Sequence, residues 1–140
     1  MTLKNRGVGK KMQSSSIPRP TEGELEILHV LWARDACTVR EVHDVLSTVV
    51  GTGYTTTLKL LQVMHAKGLV ERDDSQRAHV YRAAVSKERT QKRFLLDMVQ
   101  RVFEGSSSQL VLRALGSQHA SREELREIRS LLNKLDKDAS

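Results

Sequence analysis

Five histidines and one cysteine are the side chains of this 140-residue sequence most able to hold a metal or attack a substrate. His29, His43, His65, His79 and His119 are scattered, and no pair stands at zinc-finger spacing; Cys37 lies six residues before His43, with a helix boundary between them. Gly51 and Gly53 in VVGTG resemble half of a nucleotide-binding fingerprint, but no strand precedes them and no third glycine follows. There is no nucleophile-elbow serine and no P-loop, and the carboxylates fall mostly in helix caps or beside Arg and Lys. These residues predict no metal, no cofactor and no enzymatic activity. One other pattern carries chemistry. In YTTTLKLLQVMHAKGLVER, Thr55, Lys59, Gln62 and Ala66 share a face almost without charge or bulk, where a solvated face would carry Glu, Lys and Arg. Such a face can hydrogen-bond and still lie flat against another surface.

The elements around that stretch decide what it can reach. Thr21 with Glu24, Thr38 with Glu41 and Ser121 with Glu124 each form S/TxxE, in which hydroxyl and carboxylate satisfy backbone N–H groups left open by the first helical turn. The first helix, about Thr21 to Arg34, is expected to bury Leu25, Leu28, Leu31 and Trp32. The second, about Thr38 to Ser47, is expected to bury Val39, Val42, Val45 and Leu46. The third runs from about Thr55 to Lys67 and stops at Gly68, a residue that accepts the left-handed conformation past a helix end. LVER and AHVYRA then alternate apolar and polar residues around DDSQR, the pattern of a two-stranded hairpin.

Three short helices and a hairpin predict a winged helix-turn-helix, and a helical region follows. A long helix opens near Ser86 and carries Phe94, Leu95, Met98, Val99, Val102 and Phe103; SSQLVLRAL follows Gly105; a last helix runs from Ser121 to about Lys137. In that helix Leu125, Ile128, Leu132 and Leu135 form a seam with coiled-coil spacing. The fold class expected is mainly α with a small β-hairpin wing: a basic leader over residues 1–19, a winged helix-turn-helix domain over 20–84 and a helical dimerisation region over 85–138. The two apolar stripes can fold back onto the chain's own core or be exchanged between two copies. Because the winged unit already has a core, exchange in a homodimer satisfies them better.

At 100° per residue, Thr57, Leu60, Leu61 and Met64 fall on one side of the third helix, as core positions. Thr55, Lys59, Gln62 and Ala66 fall opposite, with Leu58 and Val63 on the flanks. In a DNA major groove Gln62 can pair with adenine and Lys59 with guanine or phosphate, while aliphatic groups meet thymine methyls. The hydroxyls of Thr55 and Thr56 at the helix start suit a backbone phosphate. A dimer would hold two such helices about 34 Å apart, one DNA turn, on an inverted repeat.

Net charge alone does not carry this reading. Of the formal +6, the first 19 residues hold +5 (Lys4, Arg6, Lys10, Lys11 and Arg19, with no acid), and the remaining 18 basic and 17 acidic residues leave +1. A near-neutral body attracts DNA weakly at long range, which supports an alternative: a winged-helix protein-interaction module without sequence-specific DNA binding. The basic leader, polar with Gly and Ser, reads as disordered, either a mere leader or an arm that adds phosphate contacts; a start at Met12 would remove Lys4 to Lys11. No apolar run approaches the roughly 20 residues of a membrane span, and no apolar secretory segment opens the chain. One cysteine forms no internal disulfide, which fits a reducing compartment, so the expected location is cytoplasmic with no membrane partner.

TEGELEILHVLW, TVREVHDVL, YTTTLKLLQVMHAKGLVER and RAHVYRA, in this order, resemble the penicillinase-repressor (BlaI/MecI/CopY) family of winged-helix regulators, over about Pro20 to Lys137. The resemblance implies a homodimeric transcriptional repressor on palindromic double-stranded operator DNA. It assigns DNA contact to Thr55, Thr56, Leu58, Lys59, Gln62 and Val63, with Arg77 and His79 on the wing. Many family members have Arg where Val63 stands, a departure that implies a different operator or weaker binding. Leu95, Met98, Val99, Val102, Leu125, Ile128, Leu132 and Leu135 would serve dimerisation. In penicillinase repressors a protease pathway cuts an Asn-Phe bond in the short helix of that region. Arg113 and Ala114 occupy the matching place, so the resemblance does not extend a regulatory protease to this chain. The ending NKLDKDAS also lacks the cysteines of copper-responsive members.

Overall fold

A computed structural model describes residues 17–139. The basic leader expected at residues 1–19 therefore lies mostly outside the described residues, as does the choice between Met1 and Met12. The elements are α1 (Glu22–Arg34), β1 (Ala36–Thr38), α2 (Val39–Val49), α3 (Tyr54–Lys67), β2 (Val70–Asp73), β3 (Val80–Ala83), α4 (Lys87–Arg101), α5 (Ser107–Ser117) and α6 (Arg122–Ala139). They divide into two compact units that part between Phe94 and Leu95, inside α4.

The local start signals act as their chemistry requires. Thr21 N–H donates to Glu24 Oε1 at 2.9 Å while Glu24 N–H donates to Thr21 Oγ1 at 3.3 Å. Thr38 and Glu41 repeat the exchange at α2, and Ser121 and Glu124 repeat it at α6. In α3 the cap is Gly53, which has no side chain to offer; Thr57, one turn in, donates its hydroxyl to the Gly53 carbonyl at 3.1 Å. At the other end Gly68 takes φ 87°, and its N–H and that of Leu69 reach back to the His65 and Met64 carbonyls.

The core of the first unit is built from α1, α2, α3 and the sheet. Leu28, Leu31, Val39, Val42, Leu46, Leu61 and Met64 are buried in it, and Thr57 is buried as well. Three differences from the periodicity stand out. Ile27 and Val30 are buried, while Leu25 and Trp32 are half-buried at its margin. Trp32 sits there because its indole N–H donates to the Val85 carbonyl at 2.9 Å, which holds the ring at the edge. Val45 and Leu60 likewise pack against the core from its rim. Finally, the sheet has three antiparallel strands in the order β1-β3-β2, where a two-stranded hairpin was expected. The added strand is only Ala36, Cys37 and Thr38, set against Arg82, Tyr81 and Val80, and three residues are too few for an alternation pattern to announce. Cys37 is buried there opposite buried Tyr81; burial pushes its thiol up and Glu41 adds to the effect, so it behaves as a small core side chain.

One ion pair fixes α3 against α1. Glu24 is 1% exposed, and Lys67 Nζ lies 2.7 Å from its Oε2. Burial alone would raise the Glu24 carboxyl, but the ion pair with Lys67 and the bonds from Thr21 outweigh it and hold the group below its ordinary value of 4.5. A group depressed in this way contributes stability above its unfolded value and loses it as pH falls below about 4.5. Replacement of Lys67 by methionine leaves the carboxylate buried with Thr21 as its partner. It should cost about 2 kcal/mol at neutral pH, the scale of a charge-assisted bond. The deficit should shrink as pH falls through about 4.5, where the unpaired carboxyl takes up a proton, and urea melts of both proteins from pH 3 to 7 test this.

The second unit is different. Val99 is buried and Ile128 half-buried, but α5 and α6 contain no buried residue. Leu95, Met98, Val102, Leu125, Leu132 and Leu135 are exposed, and so are Leu96, Val111, Leu112, Leu115 and Leu131. In α4 the helix closes at Arg101, so Val102 stands in the turn beyond it. No helix among the described residues is long and apolar enough to cross a membrane.

Candidate nucleic-acid interface

The outward face of α3 is a consequence of its inward one. With Thr57, Leu61 and Met64 buried, Thr55, Thr56, Lys59, Gln62 and Ala66 are left exposed together, and Val63 is 38% exposed at their edge. Leu58 is half-buried and packs against the core, so it belongs to the rim of this face and not to its centre. Among the side chains of this face the charge is confined to Lys59.

A cluster that no spacing in the sequence announces stands at the α3 N-terminus. The Arg40 guanidinium lies 5.2 Å above the Tyr54 ring, and the His43 ring meets the same ring edge-on at 5.6 Å. Arg40 and His43 are three apart on α2 and therefore neighbours, but their common partner is set by how α2 and α3 pack. The result holds an exposed guanidinium beside the helix start that carries the Thr55 and Thr56 hydroxyls. That end already offers open backbone N–H groups and the positive end of the helix dipole.

The wing is held by its own charges. Arg77 and His79 are both exposed in the loop between β2 and β3. Asp74 gathers two neighbours, Arg72 Nε at 2.7 Å and His79 Nδ1 at 3.5 Å. Ser75 donates from its side chain and its backbone N–H to Asp73, which keeps that carboxyl below its ordinary value and tightens the turn. Thus Asp73 and Asp74 are engaged locally, the latter also by His79, while Arg77 is exposed. Among the described residues, no three His, Cys, Asp or Glu side chains come together as metal ligands would.

The family model for the penicillinase repressor matches residues 20–134. The methicillin resistance regulatory protein MecI of Staphylococcus aureus (strain N315) is 19% identical over 114 residues, 81% of this chain and 93% of that protein. MecI of Mammaliicoccus sciuri matches with the same identity and coverage. The solution structure of the DNA binding domain of the repressor BlaI is similar at a TM-score of 0.47 and 25% identity, over 51% of this chain and 87% of that one. With most of its length matched, the chain belongs to the penicillinase repressor family of winged-helix DNA-binding transcriptional regulators.

Proposed function

We propose that the protein is a homodimeric, sequence-specific repressor that lays α3 in the major groove of a palindromic operator. In this reading residues 20–84 bind DNA and residues 85–138 join the two copies. The observation that carries it is the exposed face of α3, short of charge and able to hydrogen-bond, on a helix pinned at its far side by the core and by Lys67 on Glu24. Gln62 and Lys59 would contact bases. Thr55, Thr56 and Arg40 would hold one phosphate, with Arg77 and His79 of the wing on the backbone and Leu58 and Val63 packing against thymine methyls. The exposed leucines of the second unit support the dimer, because apolar surface on that scale calls for a partner.

Fluorescence anisotropy against the DNA upstream of its own gene and against a scrambled duplex tests the reading. The expected result is a preference of about a thousandfold or more, with saturation at two chains per site. Equal affinities that vanish together with salt would overturn it for that DNA. The near-neutral body, +1 beyond Arg19, favours a second reading as a protein-docking module. A partner retained after nuclease treatment, with no preference among duplexes, would support that instead. Deletion of residues 1–11 removes four cations (Lys4, Arg6, Lys10 and Lys11). If they form an arm, the slope of log affinity against log salt should fall by up to about 3.6, with the preference unchanged. An unaltered slope would make the segment a leader.

A further inference from the structure

The first unit contains a cleft that the DNA-binding reading does not use. It has a volume of about 380 Å³ and opens where the chain enters α1, where β3 ends and where α4 begins. Ile17, Leu69, Ala84 and Val85 give it apolar walls, and Arg89 and Arg93, one turn apart on α4, also line it; among the described residues no acidic side chain does. The size falls in the range of small-molecule sites, and the composition is theirs too: an apolar body with a few convergent polar groups. Arg93 gives one N–H to the Ile17 carbonyl, a single bond from a group with five donors. We propose that this cleft binds a small amphipathic anion, a monocarboxylate with an aliphatic body that lies on Ile17, Leu69 and Val85 while its carboxylate meets Arg89 and Arg93.

Charge selects this occupant over a segment of the chain itself. Residues 1–16 carry Lys4, Arg6, Lys10 and Lys11 and no acid, so they offer two arginines no carboxylate. An apolar ligand without charge would gain nothing from either guanidinium group. A carboxylate is planar and takes two parallel N–H bonds from a guanidinium, which a neutral head group cannot. Binding in the cleft is independent of the role of α3, and it can be measured without DNA.

The experiment is a titration of the isotope-labelled full chain with sodium octanoate and, separately, with 1-octanol, followed by backbone amide shifts. Octanoate should saturate, with its largest shifts at Leu69, Ala84, Val85, Arg89 and Arg93, and octanol should bind at least about tenfold more weakly. Arg89→Gln should weaken octanoate about tenfold and leave octanol unchanged. Ala84→Phe, which fills the cleft, should abolish both. Thermal melts show whether either variant is folded, and if one is not, the other decides. Equal affinity for octanoate and octanol, indifference to Arg89→Gln, or shifts confined to the exposed leucines of the second unit would each overturn the proposal.

Discussion

Replacement of Lys59 and Gln62 together by alanine should remove most of the protein's preference for its operator and leave its fold intact. Both side chains are exposed, on the side of α3 opposite buried Thr57, Leu61 and Met64. Their loss opens no cavity, and alanine is a better helix former than either residue. Stability should change by no more than about 0.5 kcal/mol, as for surface positions generally. A good bidentate contact to a base discriminates by about 1–3 kcal/mol, so two lost contacts should lower the operator-to-scrambled ratio by about thirtyfold or more. The single variants separate the roles. Gln62→Ala should flatten preference at one base position and Lys59→Ala at another; equal weakening of every duplex by Lys59→Ala would assign that residue to phosphate. Paired anisotropy titrations read these outcomes, and a double variant with undiminished preference would remove α3 as the reader of sequence.

A second large effect is expected from the seam of α6. Leu125 is 38% exposed and Leu132 is 54% exposed, seven residues apart on a helix with no buried residue. Covered by another copy, they would form an apolar interface; glutamate at both positions would put four carboxylates into it. The double variant Leu125→Glu with Leu132→Glu should sediment as a monomer at micromolar concentration. Operator affinity should fall by about 10²–10⁴, the advantage that a second tethered binding unit confers. The winged unit has its own core, so the melting of its tertiary signal should be nearly unchanged. A dimer that survives both substitutions would place the interface elsewhere, on the exposed leucines of α4 or α5.

The targets of these two experiments differ in how far they are legible in the amino-acid sequence. The α3 face is legible: a 3.6-residue period assigns opposite sides of one helix, and Thr55, Lys59, Gln62 and Ala66, which it sets opposite the core, are exposed. Flank positions are less certain in kind, because a residue about 100° from both faces goes where its neighbours leave room. Leu58 packs against the core, while Val63 stays at the surface edge. In the second unit the apolar repeat is visible, but a repeat says only that a stripe exists. Its exposure in the single chain is a fact of tertiary structure, and that exposure is what supports exchange with a second copy over folding back.

The sequence by itself determined the features whose partners lie within one or two helical turns: the three S/TxxE caps, the glycine stop at Gly68, the order of helices and hairpin, and the blocks that mark the family. Their physics is local, a hydroxyl or carboxylate closing on a backbone group three residues away, so spacing alone encodes it. Tertiary structure decided what depends on residues far apart in the chain. Ala36 to Thr38 became a strand only through β3, more than 40 residues on. Glu24 could be buried as a carboxylate only because Lys67 arrives from 43 residues away. Arg40 and His43 converge on Tyr54, and two arginines of α4 line one cleft with Leu69 and Val85, because of how helices pack. Such pairings leave no period or cap in the sequence, since the energy of each exists only once the rest of the core has brought the groups together.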